Sequence, residues 1–320
     1  MQYVFFDIEC ASVSKRFAKI CVFGYVLTDE CFQIIQREDI LINPQGEFHL
    51  TDRKGEKGLV LPYAYSEFRK YPTFDKVYPK IKSLLEGEDT LVVGHAAVND
   101  VKYLCLETKR FSLPSFEFSY ADTQQLYMTR KGDFSRQSGL EAITRELAIE
   151  FTPHRAVDDA YATMRIAEEL CRAEGCSLFE LLERYGITLG KISGYEYSSP
   201  VSGVQIRQHD EAMKLRAERE RRRGEFYRLV NRKSRKNLVD PKGPLAGKAF
   251  LFSRALEESP ERAKPLLERI YEKGGRYVTR LNDCNAFVRL EEDDGERCKQ
   301  AAKRSDIMIF YPQEVEEMTR

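Results

Sequence analysis

The 320-residue chain is 42% hydrophobic and 32% charged, and its 51 basic and 51 acidic side chains leave a formal net charge of zero. That length suits two domains, the apolar fraction suits real cores, and neutrality excludes a chain that binds nucleic acid by bulk charge alone. The longest apolar runs fall short of the roughly 18 residues a membrane-spanning helix needs. The eight cysteines form no C-x-x-C pair and accompany only four histidines. This argues against a structural zinc site and a disulfide framework, and for reduced thiols in a cytoplasm.

The chain opens Met1-Gln2-Tyr3-Val4-Phe5-Phe6-Asp7 without a basic leader or a cleavage site. Residues 2–7 are therefore read as a strand, and the near-continuous apolar run marks a central one. Residues 19–27 and 33–42 are two further strands, with Cys31 in the turn between them, so a meander is expected. Residues 43–72 are polar with scattered Gly and Pro and read as a long loop. Helical periodicity covers 74–86, a short buried strand covers 90–94, and helices are expected at 97–109, 121–130, 137–148 and 155–174. Strands first, then alternating helices and strands, imply a layered α/β sheet.

Three carboxylate signals lie at the edges of these elements. Asp7-Ile8-Glu9 ends the first strand, and a spacing of two puts both acids on one face. An isolated D-x-E is more often a solvated strand end. Here the pair follows Tyr3-Val4-Phe5-Phe6, where uncompensated charge is costly and a divalent cation would remove the cost. Asp100 follows the strand 90–94 within Gly94-His95-Ala96-Ala97-Val98-Asn99-Asp100. The C-terminal end of a strand is the usual place for α/β chemistry, although an acid at a helix N-terminus is favourable in its own right. His154 precedes a helix whose first turn holds both Asp158 and Asp159. A histidine beside a carboxylate at a helix start can serve as general base for water, or it can be a surface residue.

Together these residues resemble the DEDDh 3′→5′ exonuclease superfamily, which includes polymerase proofreading subunits and RNase T. Its D-x-E motif matches Asp7 and Glu9. Its second motif resembles His95 through Asp100, and its third, H-x-A-x-x-D, matches His154, Ala156 and Asp159, which selects Asp159 over Asp158. Tyr71-Pro72-Thr73-Phe74, Asp122-Thr123 and Ser138-Gly139-Leu140 agree as secondary cues. The resemblance implies an RNase H-like mixed sheet over residues 1–175. It further implies that Asp7, Glu9 and Asp159 hold one Mg²⁺ or Mn²⁺. A second ion would sit between Asp7 and the substrate phosphate, with Asp100 nearby through water, and His154 would take the proton from the attacking water. Oxygen-only ligands suit these ions rather than Zn²⁺. The sequence departs from the family at Cys10, Ala11 and Ser12 and at Ala96 and Asn99. Cys10, Ala11, His95 and Asn99 are accordingly the candidates for holding the terminal nucleotide.

Residues 176–204 turn to Ser, Gly and Pro. From Gln205 to Asn237 the chain carries twelve Lys/Arg against five Asp/Glu, a local excess of +7, including Arg221-Arg222-Arg223 and Arg232-Lys233-Ser234-Arg235-Lys236. No clear apolar stripe runs through it. It reads either as a solvated helix between domains or as a phosphate-backbone surface, with Arg221, Arg222 and Arg223 as contacts and Phe226 and Tyr227 available to stack on bases. Asp240-Pro241-Lys242-Gly243-Pro244 is a breaker.

Residues 245–320 read as a strand from Leu245, a helix at 260–273, a Gly274-Gly275 turn into a second strand, a third strand at 285–290, a helix at 295–304 and a last strand at 307–311. This β-α-β-β-α-β order resembles a BRCT domain, a small α/β module with a parallel sheet. The family's tryptophan in its last helix is missing, and that helix after Pro312 is expected to be very short. Ser253 stands at the family's phosphate-binding serine, Arg254 replaces the following glycine, and the lysine position falls near Cys298 or Lys299. A docking role for protein or DNA ends is expected. The sequence thus points to three parts: an exonuclease domain (1–175), a connecting segment with a basic helical linker (176–244) and a BRCT-like domain (245–320). The activity expected is metal-dependent 3′→5′ removal of nucleoside 5′-monophosphates from 3′-ended nucleic acid, DNA favoured, in replication proofreading or repair. An exoribonuclease and a non-catalytic nucleic-acid-binding protein on a nuclease fold are the alternatives, and no membrane partner is expected.

Overall fold

A computed structural model describes residues 1–49, 61–234 and 242–320. The chain divides into two compact units, Met1–Gln208 and His209–Arg320. Among the described residues, no helix is long and apolar enough to cross a membrane.

In the first unit the order is β1 (Gln2–Val13), β2 (Ala18–Asp29), β3 (Ile34–Leu41), α1 (Phe74–Leu85), β4 (Thr90–Gly94), α2 (Val98–Arg110), β5 (Phe118–Asp122), α3 (Thr123–Lys131), α4 (Leu140–Glu146), α5 (Ala156–Glu174) and α6 (Leu178–Arg184). Four short strands follow: β6 (Ile187–Thr188), β7 (Gly190–Ser193), β8 (Glu196–Ser198) and β9 (Val201–Ser202). Among the described residues one mixed sheet runs β3-β2-β1-β4-β5-β7-β8. The expected meander is present: β1, β2 and β3 are antiparallel neighbours, and β4 and β5 then join parallel.

Strand β1 is covered on both faces, which is why its sequence is a solid apolar run rather than an alternation. Val4, Phe6, Ile8 and Cys10 pack with Phe74 and Ile81 of α1 and Leu104 of α2. Tyr3 and Phe5 pack with Leu126 of α3, Met164 and Ile166 of α5 and Leu178 of α6. Each large apolar side chain buried this way contributes about 1.5–3 kcal/mol. The odd-numbered face therefore runs Tyr3, Phe5, Asp7, Glu9, and its two acids emerge on the side that carries α5. The register of β1 shifts just after Glu9, between Glu9 and Cys10 and again before Ser12. A bulge at that point ends the regular ladder at the site.

Asp7 is paired with Gly24 of β2. A Cβ at Gly24 would lie 2.2 Å from the carbonyl carbon of Ala156 and from the nitrogen of Val157. Only a residue without a side chain lets the first turn of α5 rest this closely on the sheet.

The structure corrects several expectations. Residues 110–120 had no element assigned, yet β5 occupies 118–122, and α3 begins at Thr123 rather than 121. Residues 176–204 are not only connection: β7 and β8 extend the main sheet beyond β5, so the sheet does not stop at residue 175. The expected loop at 43–72 contains a 3₁₀ turn at Tyr65–Lys70, and its residues 50–60 lie outside the described residues.

The charged stretch forms one helix, α7 (Gly203–Ser234). Its absent apolar stripe is replaced by a local patch, because Phe226 and Val230, one turn apart, are buried in the core of the second unit. The side chains of Arg232–Lys236 and the break at Asp240-Pro241 lie outside the described residues. In the second unit follow β10 (Ala249–Phe252), α8 (Arg254–Glu257), α9 (Pro260–Glu272), β11 (Arg276–Tyr277), β12 (Ala286–Val288), α10 (Glu296–Ala302), β13 (Met308–Phe310) and α11 (Pro312–Met318). The strands form a parallel sheet in the order β11-β10-β12-β13. Its core joins Phe250, Phe252, Leu266, Ile270 and Val288, and the seven-residue α11 adds Val315 where no tryptophan is available.

Candidate active site

Asp7 and Glu9 from β1 and Asp159 from α5 offer carboxylate oxygens that all lie within 4.8 Å of one another. Strand pleat supplies the first two and the close seat of α5 supplies the third. That seat is held electrostatically by Asp39 of β3, whose carboxylate accepts from the Val157 N–H at 2.8 Å and the Arg155 Nε at 3.0 Å and also from the Tyr63 hydroxyl. Asp39 thus satisfies the Val157 amide in the first turn of α5.

Burial raises all three carboxyls, and their mutual repulsion adds to it. Asp159 is pushed up to about 8 by desolvation and then by Asp7. Glu9 is raised by burial, then by Asp7 and Asp159, and Asp7 by burial and then Asp39. Asp100, at the start of α2, is raised well above its usual range by burial and by the charges of Asp7 and Glu9. No guanidinium or ammonium among the described ion pairs bonds to any of these four acids. A cluster of oxygen donors that repel one another and lack an internal cation is what a hard divalent ion fits. Asp7, Glu9 and Asp159 would hold such an ion, and Asp100, outside that cluster, is buried within reach of the charges of Asp7 and Glu9.

Asp7, Glu9 and Asp159 open into a cleft of about 590 Å³, within the usual range for ligand sites, lined also by His95, Leu140, Glu141, Arg145, Phe151 and His154, while Asp100 is buried and does not line it. His154 has a left-handed backbone, φ 68°, and its N–H donates to Asp159 Oδ2 at 3.1 Å, so the Asp159 carboxylate also fixes the loop. Its imidazole is half exposed, with Nε2 3.9 Å from Glu141 Oε1.

The neighbouring acid Asp158 points elsewhere: it is ion-paired with Arg37 of β3 and lies 3.8 Å from Arg155. His95 lines the cleft but its ring is tied to Thr123 Oγ1 at 2.9 Å and the Ser138 carbonyl at 3.2 Å. Burial lowers it to about 4, so it is neutral and structural in its hydrogen bonds. Asp122 holds the same loop by accepting from the N–H groups of Ala96 and Ala97, each at 3.0 Å.

The remaining candidates are placed differently from the sequence reading. Cys10 and Ala11 are buried and do not line the cleft, and Asn99 is exposed on α2 outside it. Phe226 cannot stack on a base, because it is fully buried against Phe252 and Tyr277, and the Tyr227 hydroxyl donates to Glu257 at 3.0 Å. Each arginine of the triple has an acidic partner: Arg221 with Glu225, Arg222 with Glu218 and Arg223 with Glu258. Ser253 is buried and caps α8 by accepting from the Leu256 N–H, Cys298 is buried, and Lys299 is exposed. Beside Ser253, the fully buried Glu257 accepts from Arg297 at 2.7 Å, Arg254 at 2.9 Å, Tyr277 at 2.9 Å and Tyr227 at 3.0 Å. Sequence reasoning missed Gly24, Asp39, Glu141 and Arg145, all of which shape the cleft.

The exonuclease family (RNase T) matches residues 4–167, the stretch that holds every residue of the acidic cleft. Among solved structures, a 3′-exonuclease studied for 3′-end-specific recognition of a histone mRNA stem-loop is 13% identical with a TM-score of 0.47, covering 63% of this chain and 71% of that one. Exonuclease I of E. coli in complex with a dA16 oligonucleotide is 19% identical with a TM-score of 0.48, covering 57% of this chain. The match spans only 43% of the exonuclease I chain. No curated protein matches the sequence.

Proposed function

The chain belongs to the exonuclease family, whose match covers residues 4–167, and from that premise we propose that it is a metal-dependent 3′→5′ exonuclease acting on DNA. The observation that carries the reading is the convergence of Asp7, Glu9 and Asp159 within 4.8 Å at an open cleft, with His154 on its rim. Bound Mg²⁺ or Mn²⁺, two per site, would supply charge neutralisation at the scissile phosphate and a more acidic attacking water. Asp7, Glu9 and Asp159 would hold that charge, and Asp100 would add to the negative field around it. The His154 imidazole receives the proton of the attacking water at a ring nitrogen. Glu141, 3.9 Å from Nε2, stabilises the imidazolium that results. Nucleoside 5′-monophosphates leave from the 3′ end.

The second unit is a BRCT-like docking module on this reading, supported by its four parallel strands and the chain order of its elements. Ser253 caps α8, Arg254 is paired with Glu257 and Cys298 is buried, so docking uses another surface than a phosphoserine pocket. The preference for DNA rests on this module.

The test is degradation of matched 3′-labelled single-stranded DNA, duplex DNA and RNA with Mg²⁺ or Mn²⁺, against Asp7→Ala and Asp159→Asn controls. Metal-dependent release of mononucleotides by the parent and none by the controls is expected. Turnover by either control at the parental rate would sink the assignment, and faster loss of RNA than DNA would move the substrate class.

A further inference from the structure

Arg145 is the one cationic side chain, histidines aside, among the described residues that line the acidic cleft. It sits in the last turn of α4, four residues after Glu141. Glu followed by Arg at that spacing is the favoured orientation for an ion pair along a helix, normally worth about 0.3–0.5 kcal/mol. The pair does not form here. Glu141 is turned to His154 instead, 3.9 Å away, and no ion pair among the described residues uses the Arg145 guanidinium. The remaining acids at the cleft, Asp7, Glu9 and Asp159, gather on one another. An exposed arginine is ordinary, but one left unpaired beside a cluster of carboxylates, with its natural helix partner drawn off, is placed for an outside anion.

The cleft presents the complementary problem. A polyanionic strand must approach four acids, and metal charge offsets repulsion only at the reacting phosphate. A planar guanidinium at the wall, with its fork of donors, meets a neighbouring phosphate bidentately. Leu140 and Phe151 line the same cleft and offer apolar surface next to it.

We propose that Arg145 is a substrate-positioning residue that binds a backbone phosphate of the strand entering the cleft. This rests on the exonuclease reading above. The guanidinium takes part in no bond-making step; it sets where the strand lies, so its loss raises KM far more than it lowers kcat.

The experiment measures binding of a fluorescent oligothymidylate to the full chain with metal chelated, over a range of NaCl concentrations. Parent, Arg145→Ala and Arg145→Lys are compared, with thermal melts to verify folding. Binding by Arg145→Ala should be about tenfold weaker at low salt, and its log–log salt slope smaller by about 0.7, the value for one phosphate contact on a single strand. Arg145→Lys should recover the slope while leaving part of the affinity lost. With metal present, Arg145→Ala should keep kcat within about threefold while KM rises about tenfold.

An unchanged salt slope in Arg145→Ala, or a lysine variant no better than alanine, overturns the inference. If the parent cleaves and the slope is independent of Arg145, only this inference falls. If the parent binds with an Arg145-dependent slope but releases no mononucleotide, the nuclease reading falls and the phosphate contact stands. A parent that does not bind overturns both.

Discussion

Replacing Gly24 with alanine puts a methyl group where the backbone of α5 already lies. The new Cβ would be 2.2 Å from Ala156 C and Val157 N, whereas ordinary contact begins at 3.4 Å, so the two chains must part by about 1.2 Å. The two nearest clashing atoms are backbone, the third is the Ala156 Cβ at 2.6 Å, and no rotamer change relieves any of them. Overpacking of this kind costs about 1–3 kcal/mol. For a unit of this size that lowers the melting temperature by about 2–12 °C. The same displacement carries Asp159 away from Asp7 and Glu9 and strains the Val157 bond to Asp39, 2.8 Å long. A misplacement near 1 Å at reacting groups costs on the order of 10²-fold in rate. The assay is steady-state mononucleotide release together with thermal melts with and without Mg²⁺. Gly24→Ala should lose about two orders of magnitude in kcat, melt lower, and show a smaller metal-induced rise in melting temperature. Adding Ala156→Gly should not rescue it, since the obstruction is main chain. A Gly24→Ala protein with the parental rate and the parental metal response would refute the argument that this glycine seats the third carboxylate.

Other outcomes follow from the same geometry. Asp159→Asn should abolish mononucleotide release, while Asp158→Asn, which loses only its pairing with Arg37 and Arg155, should keep activity within about tenfold and lose about 1 kcal/mol of stability; equal losses in a rate assay would contradict the placement of the two acids. The metal-free protein should lose stability as pH rises from about 4 through about 8. The folded-state carboxyls of Asp7, Glu9 and Asp159 are all raised, Asp159 to about 8, so the native state keeps protons that the unfolded state has released near pH 4. Mg²⁺ should therefore raise the melting temperature more at pH 8 than at pH 6, and an equal rise at both would contradict the burial and repulsion described. Glu257→Gln should destabilise the second unit by about 3–5 kcal/mol, because it leaves the largely buried Arg297 guanidinium without its fully buried counter-charge. Denaturant melts would show this, and mononucleotide release should be unaffected.

The cleft was legible in the sequence where chemistry and backbone period coincide. Asp7 and Glu9 share a face because a strand alternates, and their position after Tyr3-Val4-Phe5-Phe6 already made them costly charges. The pieces that were not legible act through tertiary contact. Asp39 sits among Arg37 and Glu38 in what looks like a solvated strand, and only the fold reveals that it receives the Val157 amide of α5. Gly24 lies within the apolar strand 19–27 with no turn near it, so nothing local marks it. Strand β5 has no counterpart in the sequence reading, because five residues bounded by the expected helices at 97–109 and 121–130 leave too short a run for an alternation to stand out. Phe226 was misread because a lone aromatic in a charged helix has the same appearance whether it meets a base or a core.

The helix α7 has no buried side chain between residues 206 and 222. Pairs such as Arg216–Glu220, Glu218–Arg222 and Arg221–Glu225 are what support it there, each worth a few tenths of a kcal/mol and weakened by salt. A helical stretch without a core holds its amides only marginally closed. Hydrogen exchange should be fastest in this part of the helix, and proteases should find it first.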